Sequence, residues 1–382
     1  MNLPPLSLYI HMPWCIKKCP YCDFNSHAVN PSLEPNYLRY VDALLTDLAN
    51  DLALYSIERP LQSIFMGGGT PSLFTPSAIE RLLNGIAAQI PLAKDLEITL
   101  EANPGTFDSG KFAEFYALGI NRLSIGIQSF NDQLLANLGR VHSGGEAHAA
   151  VEMAQCIGFT NINLDLMFGL PGALPDSSLD DVGIAMRYQP NHISFYQLTL
   201  EPNTLFYQFP PVLPKEDDIF AVQKAAQKLL AEHAYQQYEI SAYSLAGKPC
   251  RHNVNYWQFG DYLGIGAGAH GKITRDLPEQ IIRTFKPRHP EQYMQDTHRH
   301  GNTHTIALKD LPLEFLMNHL RLKSGFNLQH YQRTTGLSVD SLEPGLTHAL
   351  NQDLLCCDSE TYRCTEKGWY FLDSILEMFL PA

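Results

Sequence analysis

Two hydrophobic rhythms alternate along the first half of the chain. Short apolar runs at Leu6–Ile10, Ser63–Met66, Leu96–Leu100, Arg122–Ile127, Asn161–Met167 and His192–Gln197 read as strands. Between them lie stretches with helical spacing. The clearest runs from Glu34 to Tyr55 and gathers Leu38, Val41, Leu44, Leu45, Leu48 and Leu52 on one face. Others begin near Ser77, span Lys111–Leu118, end at about Ile157 and span Leu179–Met186. Strands alternating with helices in this way predict a parallel sheet with right-handed crossovers. In curved sheets of this kind, chemistry gathers at the carboxyl ends of the strands.

The pattern breaks after about Arg275. The stretch to Asn302 is rich in Pro, Arg, His and Gln and reads as an excursion or linker. Helical spacing returns from Leu311 to Leu322, near Leu328–Thr334 and near Ser341–Leu350. A hairpin at Leu354–Cys364 and a helix from Lys367 to Phe379 follow. The expected division is a large α/β domain at 1–275, a linker or excursion at 276–305, and a small, mainly helical domain at 306–382. A large domain with a smaller partner also suits a chain of 382 residues.

Composition adds bounds. With 45% hydrophobic and 18% charged residues the chain reads as an ordinary globular protein. No charged n-region leads into an apolar h-region, so reduced cysteines in the cytoplasm are expected. No apolar run approaches the length of a membrane span, which leaves only peripheral membrane contact open. The formal net charge of -13 disfavours nucleic acid as a partner.

The stretch that changes the picture most is Tyr9–Phe24, which sets Cys15, Cys19 and Cys22 on one tight loop after the first strand. Thiolates bind soft metals and iron–sulfur clusters. Three of them can hold three irons of a cubane and leave the fourth iron open to a small molecule. They also fit a zinc site with His11 or His27 as fourth ligand, although structural zinc favours a second cysteine pair, which Cys356, Cys357 and Cys364 do not supply. The later strand ends deliver Gly67–Pro71, Glu101, Gln128, Asp165 and Gln197. Each alone fits a turn, a cap or a salt bridge. Delivered together they point to one shared site, where glycines let a ligand approach the backbone.

Cys-x-x-x-Cys-x-x-Cys in this setting resembles the signature of radical S-adenosylmethionine (SAM) enzymes. That resemblance implies a TIM-like partial (βα)6 barrel and a 4Fe-4S cluster on Cys15, Cys19 and Cys22, whose open iron takes the amino and carboxylate groups of SAM. An electron from the cluster, itself fed by an electron donor, splits SAM into methionine and a 5′-deoxyadenosyl radical. The resemblance further implies SAM contacts at Gly68, Gly69, Thr70 and Glu101, and at Tyr9 and Tyr21 beside the cluster, which also read as packing aromatics. The wider set Tyr-x-His-x-Pro-Trp-Cys, Gly-Gly-Gly-Thr-Pro, Glu101–Pro104, Ile127–Phe130 and Asp165–Pro171 is similar to the oxygen-independent coproporphyrinogen III oxidase family over nearly the whole chain. In that family Gln128, Arg140 and Asp165 match SAM-binding positions, and the C-terminal module is winged-helix-like. Arg140 also reads as a solvated surface residue, and His11 as a satisfied core histidine.

Two features separate the chain from the oxidases themselves. Phe24 stands where they carry a further cysteine, and 14 residues precede Cys15 where they have a longer extension. His252-Asn253-x-x-Tyr256-Trp257 resembles instead the mark of the haem chaperone branch of the same family. This implies haem as cargo, with His252 as its axial ligand, Tyr256 and Trp257 against the porphyrin face, and haem-acceptor proteins as partners. From the residues alone His252 also reads as structural, and Cys250 is an alternative ligand. Oxidative decarboxylation of coproporphyrinogen III to protoporphyrinogen IX stays the alternative function. Whether the chain is an enzyme is therefore open, and no catalytic residue is assigned. Gly260–Gly271 contains Gly-x-Gly-x-x-Gly without the βαβ setting of a dinucleotide site, and reads as a close-approach loop near SAM.

Overall fold

The computed structural model describes residues 3–30, 35–276, 279–295 and 302–381. Strands β1 (Leu6–Met12), β2 (Leu61–Gly68), β3 (Leu92–Ala102), β4 (Arg122–Gln128), β5 (Ile162–Phe168) and β6 (His192–Gln197) lie side by side in chain order, each parallel to the next. Helices α1 (Tyr37–Tyr55), α2 (Pro76–Ala87), α3 (Ser109–Ala117), α4 (Gly144–Ile157) and α5 (Pro175–Arg187) form the crossovers. This is the expected α/β radical SAM architecture. Leu8, Ile10, Ile64, Leu100, Ile125, Leu164 and Ile193 are buried in one continuous core between sheet and helices. The expected helix start at Glu34 lies outside the described residues; α1 begins at Tyr37, where the Asn36 side chain accepts the Arg39 N–H. Its buried face carries Tyr40, Val41, Leu44 and Leu48, whereas Leu38 turns to solvent.

The sheet extends beyond the six strands on both sides. After helix α6 (Glu216–Glu232) come β7 (Gln236–Gln237) and β8 (Ala242–Ser244), the latter antiparallel to β6. A short helix α7 (Arg251–Trp257) leads into β9 (Asp261–Ile265), which pairs in parallel with β1. Then β10 (His270–Asp276), β11 (Glu279–Phe285) and β12 (Asn302–Thr305) add antiparallel strands. Among the described residues the result is a 12-stranded sheet whose edges, β7 and β12, do not pair, so the barrel is open.

The stretch at 276–305, expected as a linker or excursion, carries regular structure. Its described parts form β11, a helix α8 (Pro290–Gln295) and β12. Ile281 and Ile282 are buried on β11, while β12 is exposed along its length and polar as an edge strand should be. The close-approach loop at Gly260–Gly271 is mostly strand, the whole of β9 and the start of β10. Its glycines let the chain pass β1 and the cluster loop: a Cβ on Gly266 would lie 2.4 Å from the His11 carbonyl oxygen, and one on Gly268 2.4 Å from the Asn25 side chain.

The C-terminal region packs helices Leu311–His319, Leu328–Thr335 and Gly345–Asn351 against a small sheet containing the hairpin Leu355–Asp358 and Thr361–Cys364. Pro344 delays the third helix to Gly345. The last expected helix is split into Glu366–Tyr370 and Leu372–Glu377. Phe315, Leu316, Tyr331, Leu346 and Ile375 form its core, which continues onto Phe259 and Ile281 of the α/β unit. No helix among the described residues is long and apolar enough to cross a membrane.

Candidate functional site

At the carboxyl end of β1 the chain loops over the sheet. Trp14–Cys15 pairs with His27–Ala28 to close the loop, and the Cys22 N–H donates to the Cys19 carbonyl at 3.1 Å. Cys15, Cys19 and Cys22 are free thiols that line one cavity of about 340 Å³. A polar partner stands at each sulfur. Thr70 Oγ1 lies 3.4 Å from Cys15, Arg140 Nη1 3.8 Å from Cys19, and Ser26 Oγ 3.8 Å from Cys22. Burial raises the Cys15 and Cys22 thiols above their ordinary value, so a bound cation is what would keep these sulfurs ionised. Among the described residues no three Cys, His, Asp or Glu gather as the donor set of a single ion. Three separate thiols around one cavity suit a cluster that takes one sulfur per iron, and the residues fit it.

The end of β2 packs tightly under this loop. Gly68 has φ +108°, and a Cβ there would lie 2.3 Å from the His11 ring; a Cβ on Gly69 would lie 2.6 Å from the Trp14 carbonyl. The Gly69 N–H donates to Met12 O at 2.8 Å and the Thr70 N–H to Trp14 O at 2.7 Å. Glu101, ending β3, accepts the Gly68 N–H at 3.2 Å. Burial, reinforced by the charge of Asp165, lifts the Glu101 carboxyl to about 8. Asp165 is raised by burial in turn, although Ser124 Oγ at 2.9 Å and Asn163 Nδ2 at 2.8 Å donate to it. Such a pair is built to receive positive charge. Gln128 ends β4 with φ +65°.

Arg140 is not a solvated surface residue. Its Nη2 donates to Gly126 O at 2.9 Å, and Tyr21 and Cys19 beside it hold the guanidinium charge against the cost of burial. The one cavity therefore brings together the three cysteines with Tyr21, Gly68, Gly69, Thr70, Glu101, Gln128, Arg140 and Asp165.

Tyr9, expected beside SAM, is not on the wall of this first cavity. It opens on a second cavity of about 810 Å³, separated from the first by Phe24, Gly68 and Glu101, which line both. His11 Nε2 lies 2.9 Å from the Asn25 carbonyl, to which it must donate, so His11 Nδ1 accepts the Tyr9 hydroxyl at 3.0 Å. His11 is a satisfied core histidine and no metal ligand.

The second cavity also collects His252, Tyr256 and Trp257. All three sit on α7, whose start is held from inside the sheet. Glu97 Oε1 on β3 accepts the N–H of Arg251 at 3.0 Å and of His252 at 3.4 Å, and the Cys250 thiol at 3.7 Å. A carboxylate at a helix N-terminus is electrostatically favoured. The His252 ring stacks on Phe65 at 4.9 Å and 27°. Burial, with Arg122 adding to it, pushes its pKa down to about 3. The imidazole is therefore neutral, and its Nδ1 is buried without a hydrogen-bond partner. Tyr256 meets Trp257 edge-on at 4.7 Å, and the Arg321 guanidinium lies 4.3 Å over the Trp257 ring. Cys250 is fully buried against Glu97 and does not line the cavity, which removes it as an alternative ligand.

Glu97 and Arg122, both buried, escaped the reading of the sequence. The available signal was a charged residue inside or opening an apolar strand run.

Known proteins share this fold and much of this sequence. Residues 9–179 match the model of the Radical SAM superfamily, and residues 306–371 that of the HemN C-terminal domain. The Heme chaperone HemW of Escherichia coli (strain K12) is 47% identical over 381 residues, covering 100% of this chain and 99% of the relative. The Heme chaperone HemW of Haemophilus influenzae is 46% identical, covering 99% of each. Radical S-adenosyl methionine domain-containing protein 1, mitochondrial, of Mus musculus is 35% identical over 98% of this chain and 87% of the relative. Among solved structures, coproporphyrinogen III oxidase (HemN) from Escherichia coli shares the fold with a TM-score of 0.83. It is 21% identical, with 99% of this chain and 90% of that one covered.

Proposed function

The chain belongs to the HemW family of radical SAM proteins, and from that premise we propose that it binds haem and passes it to acceptor proteins on a scaffold holding a 4Fe-4S cluster and SAM. The observation that carries the haem reading is His252, a buried neutral imidazole on the wall of an 810 Å³ cavity with an unpartnered Nδ1. A nitrogen left without a hydrogen-bond partner on a neutral ring is what an iron ion takes as an axial ligand. Phe65, Tyr256 and Trp257 around it offer the flat apolar surfaces that suit a porphyrin.

In the first cavity Cys15, Cys19 and Cys22 would hold the cluster. Glu101 and Asp165 would meet the positive charge of SAM, Gly68 and Gly69 would let it reach the backbone, and Arg140 and Thr70 would steady the cysteine sulfurs. When bound, the cluster and SAM supply one-electron chemistry, drawn from an electron donor. The chain's own residues bind and orient; Phe24 and Glu101 divide the two cavities and keep cofactor and cargo adjacent but separate.

Two measurements test this. Ferric haem titrated into the protein and followed by its absorbance should bind markedly less tightly to His252→Ala, and equal affinity would sink the haem assignment. An anaerobic assay with reconstituted cluster, reductant, SAM and coproporphyrinogen III should give no protoporphyrinogen IX above a Cys15→Ala control. Product above that control would make the protein an oxidase.

A further inference from the structure

The second cavity is electrostatically unlike the rest of the molecule. The chain carries a formal net charge of -13, yet among the described residues Glu101 is the one carboxylate on this wall. Burial keeps Glu101 largely protonated near neutral pH. One part of the lining is apolar and holds His252. Another part comes from β10, β11 and the turn after them, and supplies His270, Phe285 and Arg288.

Lys286 also reaches this wall, but its ammonium is engaged by Asp47 at 2.6 Å and Asp51 at 2.8 Å. Among the described residues no carboxylate pairs with Arg288. Its backbone is nonetheless fixed: the Asn25 side chain donates to the Arg288 carbonyl at 2.8 Å, and the Gly268 N–H to the Pro287 carbonyl at 2.8 Å. Burial opposes protonation of His270, and the charges of Arg283 and Arg288 add to it. An exposed cation thus springs from a rigid point beside a pocket cleared of negative charge.

We propose that Arg288, with His270 beside it, is the carboxylate-recognising end of this cavity, and that the cavity takes a flat aromatic ligand carrying carboxylates on one edge. The inference rests on the haem reading, in which those carboxylates are the two propionates. Arginine suits the role because its planar fork donates in pairs to a carboxylate. The arrangement sets which edge of the ring enters first, with the iron toward His252 and the propionates toward Arg288.

The test compares ferric haem with ferric haem dimethyl ester, in which both propionate charges are removed, by absorbance titration of the full chain. The wild-type protein should prefer haem. Arg288→Ala should lose about tenfold in haem affinity and leave the diester unchanged, so that the preference disappears. His270→Gln should narrow it less. Arg288→Lys should restore part of it, which shows that charge rather than folding is at issue. Equal losses for haem and diester, or no loss for either, would overturn the proposal while His252→Ala still weakened haem binding. If His252→Ala also left haem affinity intact, the haem reading itself would fall and this inference with it.

Discussion

Glu97 and His252 are joined across the inside of the sheet: one carboxylate oxygen on β3 accepts the His252 backbone N–H at 3.4 Å and that of Arg251 at 3.0 Å. The candidate haem ligand is therefore aimed by a residue from a distant strand. Glu97 is also among the groups that stabilise the buried Arg122 charge. Its removal would release the start of α7 and leave Arg122 poorly compensated.

Glu97→Ala is accordingly expected to cost about 3 kcal/mol of stability, read as a lower denaturant midpoint at unchanged slope. Glu97→Gln, which keeps an acceptor oxygen but no charge, should cost less. Either variant that still folds should show an altered absorbance band of bound ferric haem, because the His252 ring is no longer held flat on Phe65. An unshifted band in both would mean that α7 is held by other contacts.

At Gly68 the expected outcome is steric. The φ of +108° already disfavours any side chain, and a Cβ would meet the His11 ring at 2.3 Å. His11 cannot withdraw without giving up its bonds to Tyr9 and to the Asn25 carbonyl. Gly68→Ala should cost about 2–4 kcal/mol and weaken SAM binding as the Glu101 contact is lost. Thermal unfolding together with calorimetric SAM titration checks both, and a variant as stable as wild type would refute the packing argument.

The parallel strands were legible because each is an apolar run closed by glycine, proline or a polar residue at its carboxyl end, and that regularity also exposed most of the first cavity. The strands at 276–305 were not, because an edge such as β12 keeps polar side chains and shows no buried face. Which cavity Tyr9 lines is hidden in the sequence for a reason of the same kind. Neighbouring positions on a strand face opposite sides, and a motif fixes the residue but not the direction in which its side chain leans. Glu97 and Arg122 failed to register because a charge in an apolar run has meaning only when its partner, far away in the chain, is known.

Acid should weaken the protein in part through His252. Its ordinary pKa of 6.5 falls to about 3 on folding, so the unfolded chain takes up a proton that the folded chain refuses. Stability contributed by the neutral ring is present above pH 6.5 and is lost as pH falls from there toward 3. Between pH 7 and 4.5 this amounts to roughly 2 kcal/mol. His142 and His319 are depressed in the same direction, so the wild-type curve has several contributors. The difference between wild type and His252→Gln isolates one of them. Urea midpoints at the two pH values should fall less for the variant, and parallel falls would show that the ring titrates normally.

Glu101 acts with the opposite sign. Folding raises it from 4.5 to about 8, so the folded chain keeps a proton that the unfolded chain has released across that interval. Its contribution is full below pH 4.5 and is lost as pH rises toward 8. Glu101→Gln, which imitates the neutral carboxyl, should match wild type near pH 5 and exceed it by about 2 kcal/mol at pH 8, after allowance for the open cavity beside the group. The same proton gives a binding signature. A cationic ligand placed against Glu101 lowers its pKa, so SAM should displace a proton at pH 7 from the wild-type protein and not from Glu101→Gln. Calorimetric titrations of SAM in two buffers of different ionisation enthalpy measure that proton directly. Equal proton release from both proteins would place the positive charge of SAM away from Glu101 and reassign its role to Asp165, whose carboxyl is also raised by burial.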